Sequence, residues 1–414
     1  MSDSPPASRA DKAALLFALY LAQGLPYGFF TLALPVLLRD AGLSLTAISA
    51  LSLLALPWAF KFLWAPLLDQ RGTRRAWLLV LQAGSIAGAL LLAGMSPDSN
   101  YALLFAAAFA FNLIAASQDV ATDGLAVRLL DARERGIGNG LQVGAYRLGM
   151  ILGGGLLLWI FARTNWTVMF LCMAALLAPT LLPVLRLREP PGTGAIRRLG
   201  SSGLALAWVQ RAMQPPMLTL GALIFCYRFG DQMVASLLGP FLTDIGLDLE
   251  TIALMKGAVG SATSLVGAAL GGAFVLAVGR RRALLASGLG QAASFCLYIA
   301  AARGAGGVDL LWTATVLEGV IGTMATVALF TLMMDAADPE HAGTDYTLLA
   351  SAVVLVGALA GFAAALIADA FGYAVTFVLG TGLAAGGCLF LVWWLDHRPL
   401  QGRVAEAWRG SPAG

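Results

Sequence analysis

The chain consists largely of long apolar runs, each separated from the next by a few polar residues. A helix needs about 20 residues, at roughly 1.5 Å of rise each, to cross the hydrocarbon core of a bilayer. Runs of that length recur along the 414 residues, of which 59% are hydrophobic and 12% charged, against about 25% charged residues in an ordinary soluble domain. The sequence therefore predicts an all-α integral membrane protein.

Twelve transmembrane helices are predicted from these runs, and we number them spans 1 to 12. Spans 1 to 6 form an N-terminal bundle within residues 13–187, and spans 7 to 12 form a C-terminal bundle within 216–395. A linker rich in Pro, Gly and Ser, residues 188–215, separates them. The tails are residues 1–12 and 396–414. The predicted spans cover residues 13–38, 46–68, 76–95, 101–128, 137–162, 166–185, 216–241, 251–277, 283–302, 309–335, 346–371 and 373–395.

Arginine and lysine are concentrated in the short links on one side of these spans. The links on the other side carry only Arg39, Arg163 and Arg303. Because positively charged links stay in the cytoplasm, we expect both termini and the linker to be cytoplasmic.

An internal repeat relates the two halves of the chain. Arg74 and Arg75 recur as Arg281 and Arg282, and a pattern after span 1 recurs after span 7. The recurring residues are Asp40, Gly42, Leu43, Leu45 and Ile48, matched by Asp244, Gly246, Leu247, Leu249 and Ile252. Two pseudo-symmetric six-helix bundles are the architecture of one large class of secondary transporters.

Apart from those within three residues of a span end, the ionisable residues inside the predicted spans fall on spans 2, 4, 5, 7, 8 and 10. A charge at the bilayer centre costs roughly 2.5 to 3.5 kcal/mol even on the most lenient scale, so it persists where it faces protein or water. This distribution predicts a polar pathway through the membrane. The residues are Lys61, Asp119, Asp123, Arg147, Arg228, Asp231, Lys256 and Glu318.

Two of these groups are spaced to form ion pairs. Asp119 and Asp123 lie one helical turn apart on one face of span 4, and Lys61 of span 2 lies at a similar depth. Lys61 is expected to pair with one of them, either as a switch controlled by protons or substrate or as a latch that neutralises charge. Arg228 and Asp231 can pair on their own helix.

The remaining charged residues of the spans are Arg147, Glu318 and Lys256. Arg147 has no acid on its own span, and its rigid fork of donors suits an anionic substrate. Glu318 of span 10 is either a proton-coupling carboxylate or a structural partner of Arg228. Lys256, near the outer end of span 8, either faces the pathway or extends to the membrane surface.

The segment Leu67–Arg75, LLDQRGTRR, resembles the cytoplasmic signature between the second and third helices of the major facilitator superfamily. In that family the Asp, here Asp69, caps a neighbouring helix. The Gly and Arg residues that follow, here Gly72, Arg74 and Arg75, balance the inward and outward states. This chain has Gln70 where an Arg usually follows the Asp.

Three further segments resemble the AmpG-like permeases, which include importers of muropeptides, acetyl-coenzyme A and ferri-siderophores. They are KFLWAPLLD (61–69), SQDVATDGLAVRLL (117–130) and RERGIGNGLQVGAYRLGMILGGG (133–155). The twelve-helix length is more similar to the siderophore branch of the pyochelin type. The resemblance implies a bacterial inner-membrane transporter that imports a ferri-siderophore by proton-coupled alternating access. A muropeptide permease and an acetyl-coenzyme A transporter are the alternatives.

The resemblance also implies a fold in which spans 1, 4, 7 and 10 line a central cavity and spans 2, 5, 8 and 11 flank it. The candidate substrate-binding residues are Arg147, Tyr146, Gln142, Arg228, Tyr27, Gln23, Tyr227 and Asn112. The candidate proton-coupling residues are Glu318, Asp119, Asp123 and Asp231. The candidate ion-pair switch consists of Lys61, Asp69 and Arg75.

Other function classes find no support in the sequence. It contains no Walker A loop, no HExxH and no GxSxG motif, so neither ATP hydrolysis nor an intramembrane enzyme is expected. The cysteines have no CxxC spacing, and no metal or cofactor is predicted. The expected partners are a small molecule, taken to be a ferric chelate, and the lipid bilayer. Nucleic acid is not expected, and the protein is expected to be a monomer.

Overall fold

The protein is described by a computed structural model that covers residues 8–40, 53–54, 56–95, 101–187, 208–398 and 408. These residues form helices and connecting turns, with no strand among them. Residues 42–48 of the predicted repeat, most of the linker and most of both tails lie outside the described residues.

Span 1 is one helix with a local change of winding. It consists of α1 (Arg9–Gly28), a π-helical turn (Phe29–Ala33) and α2 (Leu34–Asp40). A reciprocal cap fixes its start, because the Ser8 hydroxyl accepts the Asp11 N–H at 3.1 Å and the Asp11 carboxylate accepts the Ser8 N–H at 3.3 Å.

Spans 2 to 6 complete the first half. Span 2 is broken into short pieces, whereas span 3 and span 4 are single helices. Span 5 contains a second π-helical turn, Leu152–Leu156, and span 6 a 3₁₀ turn, Ala178–Thr180. The helices are α3 (Leu56–Phe60), α4 (Ala65–Gln70), α5 (Arg74–Ala93), α6 (Tyr101–Leu129), α7 (Arg135–Ile151), α8 (Leu157–Arg163), α9 (Trp166–Leu177) and α10 (Leu181–Arg186).

Spans 7 to 12 form the second half. Span 8 contains a third π-helical turn, Leu254–Val259. Spans 11 and 12 are two helices that meet at Gly372, whose φ of 80° and ψ of 168° are not helical. The helices are α11 (Pro215–Asp244), α12 (Leu249–Ala253), α13 (Gly260–Val278), α14 (Arg280–Ala302), α15 (Gly307–Ala336) and α16 (Ala342–His397).

Within the described ranges, nine helical segments are long and apolar enough to cross a membrane. They account for spans 1, 3 to 6 and 8 to 10, and one 59-residue segment contains both span 11 and span 12. Span 7 is an unbroken helix of 30 residues that carries Arg228 and Asp231. The helices thus follow the predicted order of spans, and the all-α membrane fold is confirmed.

The chain divides into two compact units. Unit 1 contains Met1–Leu130, Ala145–Trp208 and Asp338–Thr347, and unit 2 contains Asp131–Gly144, Val209–Ala337 and Leu348–Gly414. Each unit therefore includes a short segment from the opposite half of the sequence. In unit 1 this segment is the start of α16, and in unit 2 it is the start of α7.

Each unit has an aromatic core of its own. In unit 1, Phe29 packs against Phe170 with ring centroids 4.9 Å apart, and Phe30 against Phe111 at 5.6 Å. In unit 2, the core includes Phe241 and Phe377, whose rings meet edge to face at 5.2 Å. These buried rings fix the helices that carry the polar residues described below.

Spans 1 and 5 approach each other through glycines. A Cβ added to Gly24 would lie 2.9 Å from the Cα of Gly149, and one added to Gly28 would lie 2.5 Å from the Cα of Met150. No side chain fits at such distances. The glycine-rich segment of span 5 therefore serves close helix packing.

Candidate functional site

Span 2 is broken at the residue that carries its charge. Helix α3 ends at Phe60, a single 3₁₀ turn follows at Lys61–Leu63, and α4 begins at Ala65. Phe60 (φ −103°, ψ 5°) and Trp64 (φ −112°, ψ 0°) flank the turn. Pro66, which lacks an N–H, occupies the first turn of α4. Non-helical backbone at membrane depth is a feature of transporter binding sites.

Lys61 pairs with Asp119 of span 4. The Lys61 Nζ donates a hydrogen bond to Asp119 Oδ2, and the two side chains are only 7% and 9% exposed. Of the two carboxylates predicted as partners, the structure thus brings Asp119 to the lysine. Breaking a buried pair leaves one uncompensated charge, so this contact holds spans 2 and 4 together.

Asp123 has a different partner in span 1. The Tyr20 hydroxyl donates to Asp123 Oδ1 at 2.9 Å, and both residues are buried. One turn further along span 1, the Gln23 amide donates to the Thr122 hydroxyl at 2.7 Å. Gln23 is fully buried in this arrangement, so it joins two helices and is not open to a ligand.

Three rings from spans 1, 2 and 5 form a cluster that we call the aromatic triad: Tyr27, Trp58 and Tyr146. The Trp58 centroid lies 5.2 Å from that of Tyr27 and 6.4 Å from that of Tyr146, and the two tyrosine centroids are 5.6 Å apart. Trp58 Nε1 donates to Asn112 Oδ1 at 3.2 Å. The Lys61 Nζ lies 5.8 Å from the Trp58 centroid, within cation–π range.

Arg147 is an exposed side chain near the middle of a membrane-spanning segment. It interacts electrostatically with Tyr27 and Tyr146, whereas Gln142, also predicted for this site, is buried. An arginine at such a depth faces water or protein because contact with lipid is costly. In unit 1, Arg147 is thus an exposed cation that follows directly on Tyr146, a partly buried residue of the aromatic triad.

Unit 2 contains the second group of predicted residues. Arg228 Nη1 lies 2.7 Å from Asp231 Oδ2, one turn along the same helix. Tyr227 is 4% exposed, and its hydroxyl would be 3.0 Å from a Cβ on Gly288 of span 9. Tyr227 is thus packed between helices in this structure, and its assignment to the substrate stays a prediction.

Glu318 lies near Gln291 and Lys256. A Cβ added to Gly322 would be 2.8 Å from Glu318 Oε1 and 2.9 Å from Gln291 Nε2, so the two side chains reach the same point. Lys256, in the π-helical turn of span 8, interacts electrostatically with Glu318. Its Nζ would lie 3.2 Å from a Cβ on Gly239 of span 7. In this structure Lys256 therefore approaches a neighbouring helix and a carboxylate.

The signature segment forms a cap within unit 1. Asp69 accepts hydrogen bonds from the N–H groups of Gly343 and Thr344 at 3.2 and 2.6 Å, and from the Thr344 hydroxyl at 2.5 Å. These groups begin α16, so the carboxylate meets the positive end of a helix. Asp69 also pairs with Arg74.

The predicted switch requires one correction. Arg75, which was assigned to it, donates to the Leu185 carbonyl of span 6 at 3.0 Å. The neighbouring Arg74 is the arginine that reaches Asp69. The reason is helical rotation, because consecutive residues at the start of α5 face in different directions.

An ion cluster in unit 2 was not predicted. Asp335, fully buried at the end of span 10, lies 2.7 Å from Arg135 Nη1 and 2.9 Å from Arg280 Nε. Arg135 belongs to the RERGIGNG motif and Arg280 begins span 9. The only sign of this cluster in the sequence is that both arginines lie at the start of a helix.

No cluster of three or more His, Cys, Asp or Glu able to hold a metal ion occurs in the part of the chain that the structure describes. The chemistry of the site consists of ion pairs, aromatic rings and amide groups. Such an arrangement suits the binding and release of a polar organic molecule.

Solved structures with this fold include transporters of several kinds. The fucose transporter FucP in its outward conformation superposes with a TM-score of 0.73, at 15% identity, over 92% of this chain and 98% of that one. The human organic anion transporter MFSD10 gives a TM-score of 0.72, at 18% identity, over 94% and 100%. These likenesses show the fold.

Sequence relatives overturn the expected substrate. An anhydromuropeptide permease of Escherichia coli (strain K12) is 29% identical over 92% of this chain and 79% of its own length. A putative transporter AmpG 4 of Rickettsia felis is 22% identical over 92% and 96%. The expectation of a ferri-siderophore importer that takes up iron is therefore wrong, and the AmpG-like resemblance is confirmed. Residues 16–255 and 220–413 match the Major Facilitator Superfamily, and the chain belongs to that family of membrane transporters.

Proposed function

We propose that the protein is a secondary transporter that imports anhydromuropeptides across the bacterial inner membrane. The observation that carries the proposal is the similarity to the Escherichia coli anhydromuropeptide permease along nearly the whole chain. Both termini lie in the cytoplasm, in keeping with the distribution of arginine and lysine. The transported molecule combines amino sugars with a short peptide, so it carries hydroxyl, amide and carboxylate groups.

The exposed Arg147 and the neighbouring tyrosines of unit 1 support this substrate class. Arg147 supplies a fork of donors that matches a peptide carboxylate. The hydroxyl groups of Tyr27 and Tyr146, both partly buried beside it, can donate to and accept from sugar and amide groups. A few convergent polar groups among aromatic rings are typical of small-molecule sites.

Transport is coupled to protons through carboxylates in this proposal. Glu318 is the proton site of unit 2, where Lys256 and Gln291 are its neighbours. In unit 1, the Lys61–Asp119 pair and the Tyr20–Asp123 hydrogen bond change partners as protons or substrate arrive. Asp231, paired with Arg228, holds a charge in span 7 and has a supporting role.

The decisive experiment is uptake by proteoliposomes that contain the purified protein. Labelled anhydromuropeptide should accumulate when an inward proton gradient is imposed, and a protonophore should abolish the accumulation. Unlabelled anhydromuropeptide should compete, whereas acetyl-coenzyme A should not. Uptake of labelled acetyl-coenzyme A without any uptake of anhydromuropeptide would reject the proposal in favour of the other AmpG-like substrate.

A further inference from the structure

Anhydromuropeptides contain two chemically different parts, a sugar and a peptide. The aromatic triad suits the sugar, whereas Arg147 suits a carboxylate of the peptide. We propose that Tyr27, Trp58 and Tyr146 form a subsite that binds a pyranose ring of the substrate by stacking. This inference rests on the proposed function and adds to it the assignment of one subsite to the sugar.

The first argument is the geometry of the triad. The Trp58 ring meets both tyrosines nearly edge to face, at interplanar angles of 77° and 82°, and it is only 9% exposed. Tyr27 and Tyr146 are partly buried. Trp58 is therefore the buried member of the triad, against which the two less buried tyrosines pack, and the hydrogen bond from its Nε1 to Asn112 fixes its orientation.

The second argument is charge. The Lys61 ammonium beside Trp58 is already neutralised by Asp119, so it adds no unbalanced charge to the triad. Aromatic faces carry a negative quadrupole, which attracts the weakly positive C–H groups on the apolar face of a sugar ring. A neutral pyranose fits such a surface better than an ion does.

The third argument is the position of the triad relative to Arg147. Arg147 directly follows Tyr146 on α7 and is exposed. A molecule whose ring lies on the tyrosines can therefore present a carboxylate attached to that ring to Arg147. The sugar and the carboxylate-bearing part of an anhydromuropeptide are covalently joined in this way. The triad is thus assigned to the sugar and Arg147 to the carboxylate.

The test separates the two parts of the substrate in competition assays. Proteoliposomes take up labelled anhydromuropeptide while either the peptide-free anhydro-disaccharide or the free stem peptide is added as inhibitor. Tyr27→Leu and Tyr146→Leu should raise the disaccharide concentration for half inhibition about tenfold, since an aromatic contact accounts for up to about a tenfold effect. Inhibition by the peptide should change little.

Matched variants control for packing. Tyr27→Phe and Tyr146→Phe keep the rings and should retain disaccharide inhibition within about threefold, because stacking uses the ring face. Phe362→Leu removes a ring that is 68% exposed on span 11 and should have no effect. Equal inhibition by the disaccharide in wild type and both leucine variants would overturn the subsite while leaving the transport function intact.

A second measurement decides the matter if the leucine variants do not fold. The disaccharide should change the tryptophan fluorescence of the purified wild-type protein, and Trp58→Phe should remove most of that change. A full change in Trp58→Phe would reject the subsite. Failure of wild-type protein to take up any anhydromuropeptide is a separate result, and it would reject the proposed function itself.

Discussion

Asp69 caps the helix that begins at Ala342: its Oδ2 accepts the N–H of Thr344 at 2.6 Å and the Thr344 hydroxyl at 2.5 Å. The carboxylate is 3% exposed and also pairs with Arg74. One side chain thus accepts hydrogen bonds from the first turn of a helix and pairs with an arginine that lies far from that helix in sequence.

Arg74→Ala should lower the rate of transport, because the buried Asp69 carboxylate would lose its cation. A buried pair broken on one side costs about 3 to 5 kcal/mol, so the melting temperature should also fall. Arg75→Ala is the matched control, since Arg75 donates a hydrogen bond to the Leu185 carbonyl and the neighbouring Arg74 is the arginine that pairs with Asp69. Initial uptake rates and thermal unfolding in detergent measure both effects. Equal losses in the two variants would contradict the arrangement.

Lys61 and Asp119 should show strong coupling. Lys61→Met and Asp119→Asn each leave one buried group without its partner and should each destabilise the protein by about 3 to 5 kcal/mol. The double variant removes both charges and should recover most of the lost stability. A double-mutant cycle on thermal unfolding measures the coupling. If the pair is also a functional switch, the double variant will remain inactive in uptake although its stability is recovered. A loss of stability in the double variant equal to the sum of the two single losses would show that the pair is not coupled.

Arg147→Ala should raise the KM for anhydromuropeptide about tenfold or more with little change in protein yield, because a charge-assisted pair with a carboxylate is lost. Arg163→Ala is the matched control on the same span. Arg163 stacks on Trp159 with 4.3 Å between its Cζ and the ring centroid, near the end of the span. Parallel loss of yield and uptake in Arg147→Ala would indicate a structural role instead.

The sequence predicted the helices and the charged positions because both depend on local properties. Apolar runs of sufficient length define spans, and spacing along one helix predicted the Arg228–Asp231 pair, seen at 2.7 Å. The sequence did not show whether Lys61 pairs with Asp119 or with Asp123, since the break in span 2 at Phe60 decides which carboxylate Lys61 reaches.

Contacts between distant parts of the chain were not predictable. Arg135 and Asp335 are separated by 200 residues, and their pairing depends on how helices from opposite halves of the sequence pack within unit 2. The three π-helical turns were not predicted either, because the sequences of residues 29–33, 152–156 and 254–259 are those of ordinary apolar helices. Chain length was a poor guide to substrate, since the side chains of the site and not the number of helices select the ligand.

Glu318→Gln should abolish accumulation driven by the proton gradient and spare substrate exchange across the membrane. The amide keeps the size of the side chain and its hydrogen bonding but cannot release a proton at physiological pH. Asp309→Asn is the matched control, because Asp309 lies in the first turn of the same helix and is exposed. Uptake and counterflow in proteoliposomes measure the two activities. Unchanged accumulation in Glu318→Gln would remove Glu318 from the coupling role.

Gly24→Ala should destabilise the packing of spans 1 and 5. The added Cβ would lie 2.9 Å from the Cα of Gly149 and 3.0 Å from the backbone nitrogen of Met150. Backbone atoms cannot rotate away as a flexible side chain can, so the helices must separate. Overpacking of this kind costs about 1 to 3 kcal/mol, which exceeds the gain of up to about 1 kcal/mol that alanine brings over glycine within a helix.

Gly155→Ala is the control for that gain, because no atom lies within 4 Å of the Cβ position at Gly155. This variant should be as stable as wild type or slightly more stable. Thermal unfolding of the two variants therefore separates the cost of overpacking between spans 1 and 5 from the gain in helix propensity. Gly24→Ala should unfold at a lower temperature than Gly155→Ala, and equal midpoints would mean that spans 1 and 5 can separate without cost. Gly24 adjoins Tyr146. Separation of spans 1 and 5 in Gly24→Ala should therefore also move the aromatic triad and weaken substrate uptake.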